Sequence, residues 1–250
     1  MAVAAYAPSV VRTRIKGTEV KIDEVTDYPF RGKIAMTVSP TSPLRFPLYL
    51  RIPAWTSGAA VMINGRKFDG ACPGTYQRID REWRPGDSVE INLAMPVRTI
   101  AGFNGSVSVE RGPLVFSLRI GESWSQLHQT GPVTDWEVYP TSPWNYGLRL
   151  DPADPSSSFA VEEAPIARQP FNNSAPPVVL KVQGRRLPQW VTVDDSAAPP
   201  PPSPVRTERK EEMVNRPIDE TITLIPYAAA RLRITSFPVL GEDVPETKKQ

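Results

Sequence analysis

The sequence is short of the residues that most enzyme chemistry uses. It has one cysteine, Cys72, and one histidine, His128, in 250 residues. A single cysteine excludes an internal disulfide. A protein-held zinc would need aspartate and glutamate ligands almost alone, an uncommon set. Nucleophile systems of the Ser-His-Asp or Cys-His kind would have to run through His128, which sits in a polar segment with no partner at motif spacing. Charge asymmetry is also lacking. The 29 basic and 27 acidic residues are interleaved for a net charge of +2, which leaves no footprint for nucleic acid or a membrane surface. No apolar run approaches the roughly 20 residues that span a bilayer. The start, MAVAAYAPSVV, lacks the basic leader and apolar run of a signal peptide. A cytoplasmic location is therefore the default expectation and the compartment is otherwise open. Strand-like sequence begins at once, as in a chain whose preceding part lies elsewhere.

Proline is plentiful, at 29 residues beside 15 glycines. Proline fixes φ and removes an amide donor, so this count argues against helices and for short strands joined by turns. Apolar residues make up 40%, enough to bury a core.

The stretch 46–118 carries the clearest strands. FPLYLRIP places Phe46, Leu48, Leu50 and Ile52 on one face, and Trp55 follows as a core plug. AAVMINGRKF reads as a hairpin, because Asn64-Gly65 suits a two-residue type I′ turn. TYQRIDREW turns Tyr76, Ile79 and Trp83 inward, Arg84-Pro85-Gly86-Asp87 is a turn, and SVEINLAM alternates through Val89, Ile91 and Leu93. SVSVERGPLVFSLRI is broken by Gly112-Pro113, expected as a bulge or kink. Upstream, TEVKIDEV and GKIAMTVS alternate with Val20, Ile22, Val25, Ile34, Met36 and Val38 inward. Beyond Ile120 the pattern loosens. ESWSQLHQ reads as a short helix or a loop, and SAAPPPPSPV as an extended strap. The expected class is all-β, with two antiparallel β-sandwich (jelly-roll-like) modules packed together. The expected division is 1–17 as a connection from a preceding domain, 18–100 and 101–240 as the sandwiches, and 241–250 as a disordered tail.

Few residues invite a functional role. Of the six tryptophans, Trp55 and Trp83 sit beside strand ends and read as core. Trp136 and Trp144 flank a proline-containing loop, and with Tyr146 they form a candidate sugar-binding platform, since aromatic faces stack on the apolar faces of sugar rings. The acid pairs Asp80/Glu82 and Glu162/Glu163 fail as glycosidase carboxylates. Those must face each other across a bond, about 5 Å or more apart. Strand neighbours at i and i+1 point to opposite faces, and residues at i and i+2 usually decorate a solvated one. Arg111 and the pair Arg185-Arg186 are expected in structural ion pairs. No catalytic, cofactor-binding or metal residue is assigned.

The phrases FPLYLRIPAW, VMING, PGTYQRIDREWRPGDSVEINLAMPVR, VERGPLVFSL, SPWNYGL, GRRLPQW, PPPPSPV and LIPYAAARLRITSFP occur in that order. Together they resemble the C-terminal half of glycoside hydrolase family 127, the β-L-arabinofuranosidase-like enzymes. AAYAPS resembles the end of that family's catalytic barrel, and TDYPFRG the entry to its first sandwich. The resemblance implies an (α/α)₆ catalytic barrel with a glutamate acid/base and a zinc-bound cysteine nucleophile, all at positions upstream of this chain. Cys72 does not match them. The resemblance thus places zinc in the missing barrel and no cofactor in this chain. It implies a truncated or split, non-catalytic sandwich region, inactive by itself, whose partner is the barrel or a second sandwich chain. The alternative is a freestanding carbohydrate-binding module for arabinose-containing glycans.

Overall fold

The computed structural model of the chain describes residues 1–206, 208–209, 218–242 and 244–245. The chain is all-β, with only short 3-10 turns besides strands among the described residues. It forms two compact units, Met1–Pro96 and Val97 onward.

The first unit contains β1 (Ala2–Val3), β2 (Ser9–Ile15), β3 (Thr18–Thr26), β4 (Lys33–Pro40), β5 (Leu44–Ile52), β6 (Ala59–Ile63), β7 (Arg66–Phe68), β8 (Thr75–Trp83) and β9 (Asp87–Leu93). They make a three-stranded sheet, β1-β5-β8, and a six-stranded sheet, β2-β3-β4-β9-β6-β7. The alternating apolar residues form one core. Val20, Ile22, Ile34, Met36, Leu48, Leu50, Ile79, Trp83 and Ile91 are all buried in it. The segment expected as a connection contributes strands instead, since β2 pairs along its length with β3.

Two turns at one end of this unit are welded together by side chains. Asn64 and Gly65 take φ of 50° and 75°, the left-handed values that a type I′ turn needs. The Asn64 amide donates to Asp87 Oδ1 at 2.8 Å and its oxygen accepts from the Ser88 amide at 2.8 Å. Asp87 Oδ2 accepts the Arg84 amide at 2.9 Å, closing the Arg84–Asp87 turn. Burial alone would raise the Asp87 carboxyl, but these donors and the charges of Arg81 and Arg84 hold it below the usual carboxylate range.

Two inward assignments shift. Val25 is 71% exposed and Glu24 is buried in its place. The period of two from Val20 and Ile22 leads to Glu24, so a carboxylate takes an inward position. Its Oε1 accepts the Ala7 amide at 2.9 Å, and burial raises its pKa above the ordinary value. Tyr76 is likewise exposed while Ile79 and Trp83 are buried. Tyr76 and Ile79 are an odd number of residues apart and cannot share a strand face.

The second unit contains β10 (Val97–Ala101), β11 (Val107–Arg111), β12 (Leu114–Leu118), β13 (Glu122–Thr130), β14 (Val133–Pro140), β15 (Tyr146–Leu148), β16 (Ala160–Glu163), β17 (Val178–Arg186), β18 (Thr192–Val193), β19 (Ser196–Ala197), β20 (Glu208–Arg209), β21 (Asp219–Pro226) and β22 (Val244–Pro245). Seven strands form its main sheet in the order β10-β11-β12-β21-β17-β15, with β16 also on β17. Phe116, Leu148, Leu180, Leu224 and Phe237 are fully buried there. Gly112-Pro113 joins β11 to β12 as a tight hairpin, with Arg111 opposite Leu114 and Gly112 at φ 59°. It is a turn rather than a bulge, because glycine takes the left-handed conformation cheaply.

The expected strap is pinned at several points. Asn104 Nδ2 donates to Pro200 O, the Ser203 amide donates to Asn104 O, and the Val205 amide donates to Val239 O at 2.7 Å. The frayed tail expected over 241–250 falls largely outside the described residues, although the Gly241 amide is bonded to Val205 O.

Candidate functional site

The segment expected as a helix or loop is the strand β13, paired with β14 in a ribbon that belongs to neither main sheet. The register sets Trp124 opposite Val138 and Gln126 opposite Trp136, with a shift at Leu127. Alternation therefore puts Trp124, Trp136 and Val138 on one face, and Glu137 and Tyr139 on the other. Trp124 and Trp136 meet edge to face with ring centroids 6.2 Å apart, and each stays about half exposed. Glu122 fixes the first indole by accepting its N–H at 3.2 Å. Glu122 Oε1 also accepts from Asn173 at 2.8 Å.

At the root of the ribbon, along residues 137–140, lies an open groove of about 690 Å³. Trp144, Ile120 and Leu232 supply apolar surface, and Glu137, Asp195, Arg231 and Arg233 bring four charges. Local structure positions Trp144, Glu137, Arg233 and Asp195. Trp144 stands edge-on against Trp190, with centroids 5.3 Å apart. Trp190 is itself buried and donates its indole N–H to Ala198 O at 2.7 Å. The Tyr139 hydroxyl donates to Glu137 Oε2 at 2.9 Å, a bond that raises the phenol's pKa. Arg233 Nε donates to Ala230 O at 3.0 Å while its guanidinium lies over the Tyr227 ring at 4.4 Å. Asp195 sits in the two-residue turn between β18 and β19, where Asp194 and Asp195 both have positive φ, 48° and 58°. Aspartate tolerates this conformation better than most residues.

The structure does not bring the predicted platform together. Trp144 lines the groove. Trp136 lies on the opposite face of the ribbon. Tyr146 is buried at 7% exposure and gives its hydroxyl to Glu220 Oε1 at 2.8 Å. Burial and that bond push its pKa up to about 12. Its ring offers no free face, because β15 enters the main sheet beside β17. Sequence reading missed Tyr139, Glu137, Asp195, Arg231 and Arg233. The one available signal was VTVDDSAA, a pair of short alternating runs around Asp194-Asp195.

The other candidates have structural partners. Arg111 pairs with Glu163 at 2.7 Å, and Arg185 with Asp219 at 2.6 Å. Asp80 is paired with Arg78 and Arg45. Cys72 is exposed in a loop, and His128 is exposed on the ribbon. Among the described residues no three His, Cys, Asp or Glu side chains gather as metal ligands would. With Cys72 as the single cysteine of the sequence, a cysteine-rich zinc site has no ligand set among the described residues. No helix among them is long and apolar enough to cross a membrane.

Residues 1–95 match the family model described as Beta-L-arabinofuranosidase, GH127 middle domain. No curated protein matches the chain. Among solved structures, a GH127 β-L-arabinofuranosidase from Geobacillus stearothermophilus is 27% identical with a TM-score of 0.60, over 94% of this chain and 32% of that one. A glycoside hydrolase is 23% identical with a TM-score of 0.61, over 96% of this chain and 36% of the other. A GH127 β-arabinofuranosidase at 18% identity has a TM-score of 0.63, over 95% and 34%. The last two likenesses concern the fold alone. The fold and the match thus define an all-β region of the kind found in glycoside hydrolases. More particularly, the resemblance to glycoside hydrolase family 127 holds, through the middle domain of that family over residues 1–95. The chain spans about a third of the length of these structures.

Proposed function

We propose that the chain is a non-catalytic accessory region that works beside the catalytic barrel of a hydrolase of the β-L-arabinofuranosidase type. The observation that carries this reading is the middle-domain match over residues 1–95 in a chain that spans about a third of its structural relatives. The ribbon supports it from a different side. A two-stranded ribbon is marginal by itself in water, yet β13 and β14 expose Trp124, Trp136, Leu127 and Val133, each at 47% or more. Trp124 and Trp136 share one face, Val133 lies on the other and Leu127 sits at the register shift; exposed apolar side chains of this kind suit a surface that another domain covers. The partner that fits is the barrel, because most of the relatives' length lies outside the part that this chain matches.

The test is hydrolysis. The purified 250-residue chain, supplied with zinc and a thiol reductant, is expected to cleave an aryl β-L-arabinofuranoside no faster than buffer does. Turnover that copurifies with the chain and persists after chelation and thiol blocking would sink the reading. It would mean that a carboxylate site in the sandwiches does the chemistry.

A further inference from the structure

We infer that the groove at the root of the β13–β14 ribbon binds a neutral oligosaccharide. The inference goes beyond the accessory role and does not depend on it, since a sandwich region can hold a glycan with or without a barrel beside it.

Size comes first. At about 690 Å³ the groove falls within the roughly 300–1,000 Å³ typical of small-ligand sites, so it has room for several sugar rings. Its open shape suits a chain that enters and leaves along the surface. Its chemistry is mixed in the way a sugar demands. A sugar ring has an apolar C–H face and a rim of hydroxyls. Trp144 and Tyr139 offer aromatic surface for the C–H face. Glu137 and Asp195 are planar acceptors, and Arg231 and Arg233 are planar donor forks. Such groups reach two neighbouring hydroxyls at once.

Charge selects the ligand class. Two carboxylates and two guanidiniums face the same space, so their sum is zero. A phosphate or uronate would gain from the arginines and lose against the acids. A purely apolar ligand would desolvate four charged groups without replacing their hydrogen bonds. A neutral polyhydroxyl ligand meets neither penalty.

The site is also held ready. Trp144 is braced by the buried Trp190, Arg233 by Ala230 O and the Tyr227 ring, Tyr139 by Glu137, and Asp195 by a turn with two positive φ values. Groups fixed before binding lose less conformational entropy on binding.

The experiment is calorimetric titration of the purified chain with arabinotetraose, xylotetraose and cellotetraose, with tetragalacturonate as the charged comparison. At least one neutral ligand is expected to bind with Kd near 1 mM or tighter, about −4 kcal/mol or better. Tyr139→Ala and Asp195→Gly should each weaken it about tenfold. Both sites are exposed, and glycine keeps the positive φ of position 195, so the fold survives each change. Trp136→Ala, on the opposite face of the ribbon, should leave affinity unchanged. The inference is overturned if no neutral ligand binds at about 10 mM, if only the charged one binds, or if Trp136→Ala abolishes binding while the two groove variants do not. These readings measure binding and the test of the accessory role measures turnover, so each proposal can fail without the other.

Discussion

Removing the Asp219 carboxylate should cost the second unit about 2–3 kcal/mol at neutral pH. Asp219 opens β21 and lies directly across from Arg185 of β17. Its Oδ1 accepts from Arg185 Nε at 2.6 Å, and its Oδ2 accepts from Arg149 Nε at 3.0 Å. Arg149 carries the link onward by donating to Gly241 O at 2.6 Å. The two halves of this node differ in worth. The Arg185 side chain is only 7% exposed, whereas those of Asp219 and Arg149 are 30% and 31% exposed. Breaking a buried pair from one side costs roughly 3–5 kcal/mol, and a solvent-exposed pair is worth about 0.2–1 kcal/mol. Asp219→Ala damages one contact of nearly the first kind, softened by the water that reaches Asp219, and one of the second. Asp219→Asn keeps an acceptor for Arg185 and should lose about half as much.

The sign of the pH dependence follows from the same contacts. Burial alone would raise the Asp219 carboxyl, but the hydrogen bonds and charges of Arg185 and Arg149 outweigh it and hold the pKa below the ordinary value. A depressed acid contributes fully above its unfolded pKa, near 3.9, and its contribution fades as pH falls through the folded value. The gap between native protein and Asp219→Ala should therefore be constant from pH 7 to about 5 and shrink below about 4. Urea unfolding of both proteins, at pH 7 and at the lowest pH where the native fold persists, measures it. A loss under about 1 kcal/mol at pH 7, or one that stays the same in acid, would refute the reasoning.

Two further predictions concern the first unit. Trp83 is fully buried, packs on Phe46 with centroids 5.9 Å apart and donates its indole N–H to Phe46 O at 3.0 Å. Trp83→Ala should cost about 3–5 kcal/mol, and Trp83→Phe a smaller amount, because a ring stays in the cavity while the N–H is lost. Thermal unfolding checks both, and equal losses would show that the lost hydrogen bond, not the burial of the ring, carries the cost. A Cβ at Gly32 would overlap the backbone carbonyl of Leu93, whereas one at Gly58 would meet nothing within 4 Å. Gly32→Ala should lose at least about 2 kcal/mol and Gly58→Ala stay within about 1 kcal/mol. Similar melting temperatures for the two variants would contradict this account of the close approach.

Much of the first unit was legible because its physics is local. A period of two in TEVKIDEV, GKIAMTVS and FPLYLRIP names the buried face of each strand without reference to the rest of the chain. Asn64-Gly65 names its own turn, because few other residues enter that conformation cheaply. The single cysteine and single histidine limit the chemistry whatever the fold. The misassignments at Val25 and Tyr76 came from hydrophobicity overriding parity. The strand continues its alternation and buries Glu24 instead.

The groove could not be read this way. Tyr139, Asp195 and Arg233 are far apart in sequence, and none carries a pattern that points to the others. Only pairing in three dimensions decides that Tyr139 and Trp136 face opposite ways, that Tyr146 is buried within the main sheet, and that Asp195 lines the same groove as Tyr139. The sequence by itself determined strands, turns, the all-β class and the family resemblance, because those depend on residues close along the chain. The tertiary structure decided which exposed side chains share a surface. A surface is made by elements that meet only after folding, and solvated residues are under no packing rule that would mark them in advance.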